Sequence, residues 1–227
     1  AVGGTAIREA PRTGIIFAEL SDVGVIKLKA LGCLVASIQN TKAAVTIPTP
    51  LVGEAIYTPQ ALIYAAGIEE VRGLLRPPLY GEGMAIAVIG TGIRSTHEQI
   101  SGHVVYSKNF TSSKMEDTFD HDSGVASIIL SVAPLCNLLD FKVLDENGEG
   151  TEEEVILALE ECMRLYDEGS PYRPCAINLS LGAPDTGDPS SPLRVACRAA
   201  ALERGIWIGA SAGNGGPIQG TITSPAC

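Results

Sequence analysis

The chain has 227 residues, of which 45% are hydrophobic and 19% charged, so a packed core is feasible and wholesale disorder is excluded. Lys and Arg number 16 against 26 Asp and Glu, a formal charge of −10, which makes nucleic acid phosphate or an anionic membrane a poor general partner. No apolar stretch approaches the roughly 18–20 residues that a membrane span needs.

Taken in chain order, residues 1–13 read as a loose leader. Residues 14–20 read as a strand, and residues 22–31 as a helix with Gly32 just past its end. Two further strands, 34–38 and 43–47, flank Asn40, Thr41 and Lys42 at a hairpin-like spacing. Thr58 and Pro59 open a helix as N-cap and first residue, Gly67 closes it, and 68–71 leaves room for a last short strand. The expected order is βαββαβ, a small α+β unit of ferredoxin-like type over residues 14–79.

From residue 80 the pattern changes. Residues 84–89 and 206–210 are continuous apolar runs, and 138–143 and 176–181 are mostly apolar. Thr151 and Glu154 form a capping box before a helical face of Val155, Leu159, Cys162, Met163 and Tyr166. Ser191 and Pro192 open a second helix that ends at Gly205. Strands with little polar alternation, joined by helices, predict an α/β domain with a parallel sheet covered on both faces. Ligands of such sheets sit beyond the carboxyl ends of the strands.

Those ends carry polar, Gly-rich sequence. The first strand ends in Gly90-Thr91-Gly92, the third in Asn178-Leu179-Ser180-Leu181-Gly182, and the fourth in Ala210-Ser211-Ala212-Gly213-Asn214. A helix-like run follows Asp120-His121-Asp122-Ser123-Gly124. Gly90 and Gly92 match two glycines of the dinucleotide fingerprint, but Ser95 stands at the third place, which is poor evidence for a nicotinamide cofactor. The six Cys form no C-x-x-C pair, so zinc and thioredoxin-type chemistry are not expected. They read as mostly buried free thiols.

As an ordered set, these segments resemble the subtilisin-like serine proteases, or subtilases. The likeness covers residues 80–227, an N-terminal part of that family's catalytic domain, and residues 14–79 resemble its inhibitor-like propeptide by pattern. The resemblance implies acyl transfer, in which a Ser attacks the peptide carbonyl, a His takes its proton and an Asp orients the His. It places His121 as the base and Asn214 as the oxyanion donor. Ser180, Leu181 and Gly182, with Ala212 and Gly213, then line a peptide or protein substrate held as an added strand. It favours a secreted, extracellular protein and requires no cofactor.

Two departures stand out. The family Asp falls on Gly90, which has no side chain; Asp117, Asp120 and Asp122 are the candidates to substitute for it, but they adjoin His121 in sequence and are not expected across from it. Restoring Asp at position 90, in a version that includes a C-terminal part with the Ser and an otherwise intact site, is therefore expected to raise activity by orders of magnitude. Asp122 also stands where the family prefers a small residue, and its charge is expected to raise the pKa of His121. Second, only 13 residues follow Asn214 and none forms a Gly-Thr-Ser nucleophile motif. The Ser is thus expected from a further C-terminal part or a second chain. Residues 128–133 carry no carboxylate-rich insertion, so no calcium or other metal is expected there. The leading expectation is a zymogen-like, incomplete peptidase; the alternative is an inactive pseudoprotease that binds peptide or serves in assembly.

Overall fold

The computed structural model describes residues 4–31, 33–43, 63–64 and 66–227. The chain opens with a hairpin in which β1 (Gly4–Ala10) pairs antiparallel with β2 (Ile15–Leu20). Gly14 closes the connecting turn at φ 72°, a conformation that costs glycine nothing. Residues 4–10, expected as part of a loose leader over 1–13, are thus a paired strand. Ala10 and Phe17 are buried in the main core, and the Glu160 carboxylate accepts from the amides of Arg12 at 3.0 Å and Thr13 at 2.9 Å.

Helix α1 (Asp22–Ala30) follows, its first turn capped by the Ser21 hydroxyl, which accepts from the Gly24 amide at 3.2 Å. Residues 34–38, expected as a strand, form no regular element; Leu34 and Ile38 are exposed and have no core to face. The strand here is instead β3 (Asn40–Ala43). Residues 44–47, and most of the helix expected over 58–67, lie outside the described residues. Residues 68–71, expected as a strand, belong to helix α2 (Ile68–Leu74). Glu69 and Glu70 favour its positive N-terminal end, and Arg72 pairs with Glu69 one turn back at 2.6 Å.

The remaining elements are β4 (Ala85–Gly90), β5 (Val104–Asn109), α3 (His121–Val132), β6 (Asn137–Lys142), β7 (Glu149–Thr151), α4 (Glu152–Asp167), β8 (Ala176–Leu179), β9 (Leu181–Gly182), α5 (Pro192–Arg204) and β10 (Trp207–Ala210). Five of the strands form one parallel sheet in the order β10-β8-β4-β6-β5. Side chains alternate across it. Ala85, Ala87 and Ile89 of β4, with Leu139 and Phe141 of β6, join the core made by α4 and α5. Ile86 and Val88, with Leu138, face Ala126 and Leu130 of α3 on the other side. Because the strands are parallel, the loops after β4, β6, β8 and β10 all leave from one edge.

At that edge lies a second, three-stranded sheet, β7-β3-β9, with β3 in the middle and antiparallel to both neighbours. Thr41 lies opposite Gly150, and Lys42 lies between Glu149 and Gly182.

Edge strand β5 is tied to α4 through Glu161. Its carboxylate accepts from Tyr106 Oη at 2.6 Å, Lys108 Nζ at 2.7 Å and Arg164 Nη2 at 2.5 Å. Burial alone would push this carboxyl up, but the bonds from Arg164, Lys108 and Tyr106 outweigh it and hold the pKa at about 2. The stability from this depressed pKa is fully present above about 4.5 and is lost as pH falls toward 2. Glu161→Gln should lower unfolding stability at pH 7 by about 1–2 kcal/mol and flatten its pH dependence below 4.5, read from urea denaturation across pH.

Candidate active site

His121 is the first residue of α3, and its position is set by the loop before it. Asp117, fully buried, organises that loop. One carboxylate oxygen accepts from the amides of Phe119 at 3.2 Å and Asp120 at 2.9 Å; the other accepts from Ser123 N at 3.0 Å and Ser123 Oγ at 2.6 Å. Asp120 adopts φ 65°, the left-handed turn from which the helix starts, and Arg94 ion-pairs with it. The Ser123 hydroxyl also accepts from the Arg94 amide at 2.9 Å. The loop after β4 and the start of α3 are thus stitched together.

Asp122 is 1% exposed. Its amide donates to Thr91 Oγ1 at 3.1 Å, and its Oδ1 lies 2.9 Å from His121 Nδ1. A Cβ added at Gly90 would fall 2.5 and 2.6 Å from the two carboxylate oxygens of Asp122 and 2.9 Å from its Cγ. The carboxyl group therefore fills the space that a side chain at position 90 would need. This corrects the expectation that no nearby Asp lies across from the imidazole. Consecutive helical side chains diverge by about 100° and rarely meet, which is why the sequence argued against it. Burial pushes the Asp122 carboxyl up, while His121 and the Gly92 amide favour its charged form.

Beneath this pair, Asp140 and Lys142 are buried on the α3 face of β6. Lys142 lies opposite Gly90 in the sheet, and its ammonium donates to the Thr91 carbonyl. Burial raises the Asp140 carboxyl to about 8, and the Asp122 charge adds to the rise. Asp140, Lys142 and Thr91 were not among the residues expected at the site. Their one sequence signal is a charge or hydroxyl within an apolar strand or at its end.

One and two strands away from β4, the segments after β8 and β10 meet. Ser211 N donates to the Leu179 carbonyl at 3.0 Å and Ser211 Oγ to the Leu181 carbonyl at 3.3 Å. Asn178 Nδ2 donates to Ser180 Oγ at 2.9 Å. Residues 221–226 fold over them: Ser224 exchanges two backbone bonds with Ala183, and Thr223 N donates to the Ala212 carbonyl at 3.2 Å. An added Cβ at Gly182 or Gly213 would strike Thr223 at 2.3 or 2.9 Å, so both positions require glycine. Leu181, Gly182, Ala212 and Gly213 are thus gathered in one place, with Asn214 exposed beside them. Both this cluster and the His121–Asp122–Gly90 cluster lie at the carboxyl edge of the sheet, one strand spacing apart at β8 and two at β10, about 5–10 Å.

Comparison with known proteins agrees with this architecture. The Subtilase family profile matches residues 81–227. The chain belongs to the subtilase family. Serine protease AprX of Bacillus subtilis is 33% identical over 164 residues, covering 65% of this chain and 36% of that protein. Subtilisin-like protease 10 of Arthroderma benhamiae is 32% identical over 147 residues, covering 63% and 27%. Subtilisin-like protease 6 of Trichophyton schoenleinii is 32% identical over 138 residues, covering 59% and 34%. The chain spans about a third of the length of the curated relatives it matches. Among the described residues, no helix is long and apolar enough to cross a membrane.

In this subtilase, position 90 is closed to any side chain while Asp122 is present. The expectation that Asp at 90 would by itself raise activity is revised accordingly. Gly90→Ala should destabilise the fold by about 1–3 kcal/mol through overpacking. Asp122→Gly in the same chain should recover most of the loss. A double-mutant cycle by thermal unfolding checks this; additive effects would mean that the two positions do not share space.

Proposed function

We propose that this chain is the histidine-bearing part of a serine endopeptidase that cleaves peptide bonds by acyl transfer, with a propeptide-like segment, residues 14–79, attached. In this reading His121 is the general base and Asn214 donates to the oxyanion. The nucleophilic Ser comes from a further C-terminal part or a second chain. Ser180, Leu181 and Gly182 present the edge along which a substrate lies extended, and Ala212 and Gly213 line its path. The substrate is a peptide or protein, no cofactor takes part, and secretion is inferred from the family alone.

The observation that carries the reading is the middle strand of the small sheet. The protein's own Asn40–Ala43 lies extended between β7 and β9, bonded on both sides as a bound peptide would be. Its neighbours are Leu181 and Gly182 on one side and residues 149–151 on the other. A zymogen-like role follows for this segment, since substrate and β3 cannot share the same edges.

Proline has no amide hydrogen to give, and every amide of a middle strand faces a partner strand. Thr41→Pro should therefore free the groove. Amide exchange at Gly150 and Gly182 should quicken by tenfold or more, and slow again when an extended peptide is added. Unchanged exchange would mean that β3 does not hold the groove. Whether the whole protein is a peptidase is decided by a fluorophosphonate probe. Labelling of the complete protein, abolished by His121→Ala, supports the peptidase. No labelling under any condition leaves the second reading, a pseudoprotease that keeps the groove for binding; Gly90 in place of the family Asp favours it.

A further inference from the structure

We propose that Asp122 has taken over the task of the missing carboxylate at position 90, so that the residue next to the histidine, and not the end of β4, positions the imidazole. This deepens the peptidase reading and rests on it for its catalytic meaning.

The inference rests on three geometric facts. The Asp122 carboxyl group occupies the volume that a residue-90 side chain would enter, with both oxygens and Cγ within 2.9 Å of a Cβ placed there. Its Oδ1 meets His121 Nδ1 at 2.9 Å. Its backbone is anchored to the residue after Gly90, because the Asp122 amide donates to Thr91 Oγ1 at 3.1 Å. Loss of a side chain at one position and gain of a carboxylate at another thus meet in the same few ångströms. Glycine at 90 is what admits Asp122, and Asp122 is what makes the glycine tolerable.

The chemical consequence is a fixed tautomer. A carboxylate at Nδ1 keeps the ring proton there and leaves Nε2 as the nitrogen that can accept a proton from a nucleophile. The same charge stabilises the imidazolium once formed. No bond is made or broken by Asp122 itself; it is a positioning residue acting through His121. The other charged groups around it are the Asp117 carboxylate from the loop before α3, and Asp140 and Lys142 from β6. The direct Asp122–His121 contact is the interaction that the following experiment isolates.

The experiment is a proton NMR titration of the three histidines in the 227-residue chain, with His121→Asn identifying the relevant signal. Asp122→Asn keeps the shape and removes the charge. It should lower the His121 titration midpoint by about one pH unit or more and leave His97 and His103 in place. Gly90→Ala, which pushes the carboxylate aside, should lower it in the same direction. The exchange variant Gly90→Asp/Asp122→Gly, which returns the carboxylate to β4, should bring the midpoint back to within a few tenths of its original value. A His121 midpoint unmoved by Asp122→Asn overturns the proposal; so does an exchange variant that is folded and fails to restore it. If the exchange variant does not fold, the first two variants still decide. Peptidase activity is no part of the readout. A protein that never cleaves peptide but shows these shifts would retire the peptidase reading and leave this one standing.

Discussion

A carboxyl group buried against an imidazole needs a volume that no other side chain claims, and in this fold that volume lies above the last residue of a central strand. β4 is flanked by β8 and β6 and covered by helices on both faces, so its end cannot move to make room. With glycine there, the start of α3 can lay Asp122 into the gap. Everything around that contact serves to hold it: Asp117 folds the loop, Arg94 and Ser123 tie the loop to the strand end, and Thr91 receives the Asp122 amide. If any of these were lost, the carboxylate would be expected to swing toward water, where its solvation is better.

The electrostatic setting makes the arrangement expensive and therefore informative. Asp117, Asp122 and Asp140 are all buried in one neighbourhood, where Lys142 is the one buried ammonium among the described residues. Burial raises the Asp140 carboxyl to about 8, and the neighbouring Asp122 and Asp117 charges add to the rise. Buried ionisable groups that do not form a simple pair are costly and are found disproportionately at sites of chemistry.

The parallel sheet and its two large helices were legible because buried parallel strands read as near-continuous apolar runs, as in residues 84–89, and because Thr151 with Glu154 marks a helix start unmistakably. The N-terminal region was less so. β1 is held by pairing with β2 and by Glu160, about 150 residues away, and no local pattern encodes that. Residues 68–71 are too short to show a period, and residues 34–38 look like a strand but have no core to face. At the site, motif could nominate His121, Gly90 and the 180–182 and 212–214 segments as candidates. The contact between Asp122 and His121 could not be read there, because sequence neighbours on a helix are expected to point apart. A signal was nevertheless present: a carboxylate absent at Gly90 and an unexpected one at Asp122.

The two halves of the candidate site share the carboxyl edge of one sheet but are built differently: the histidine side from side-chain charges, the groove side from glycine backbone and strand edges. On the proposed groove side β3 lies between β7 and β9, and on the histidine side the Asp122 carboxyl group fills the space above Gly90. The central claim is the position of one carboxylate, and a crystal structure of the 227-residue chain at a resolution that separates the two oxygens tests it most directly. The account predicts Asp122 Oδ1 within hydrogen-bond distance of His121 Nδ1, with the carboxyl group lying over Gly90. Density showing Asp122 turned to solvent, with the space above Gly90 filled by water or by another side chain, would contradict it.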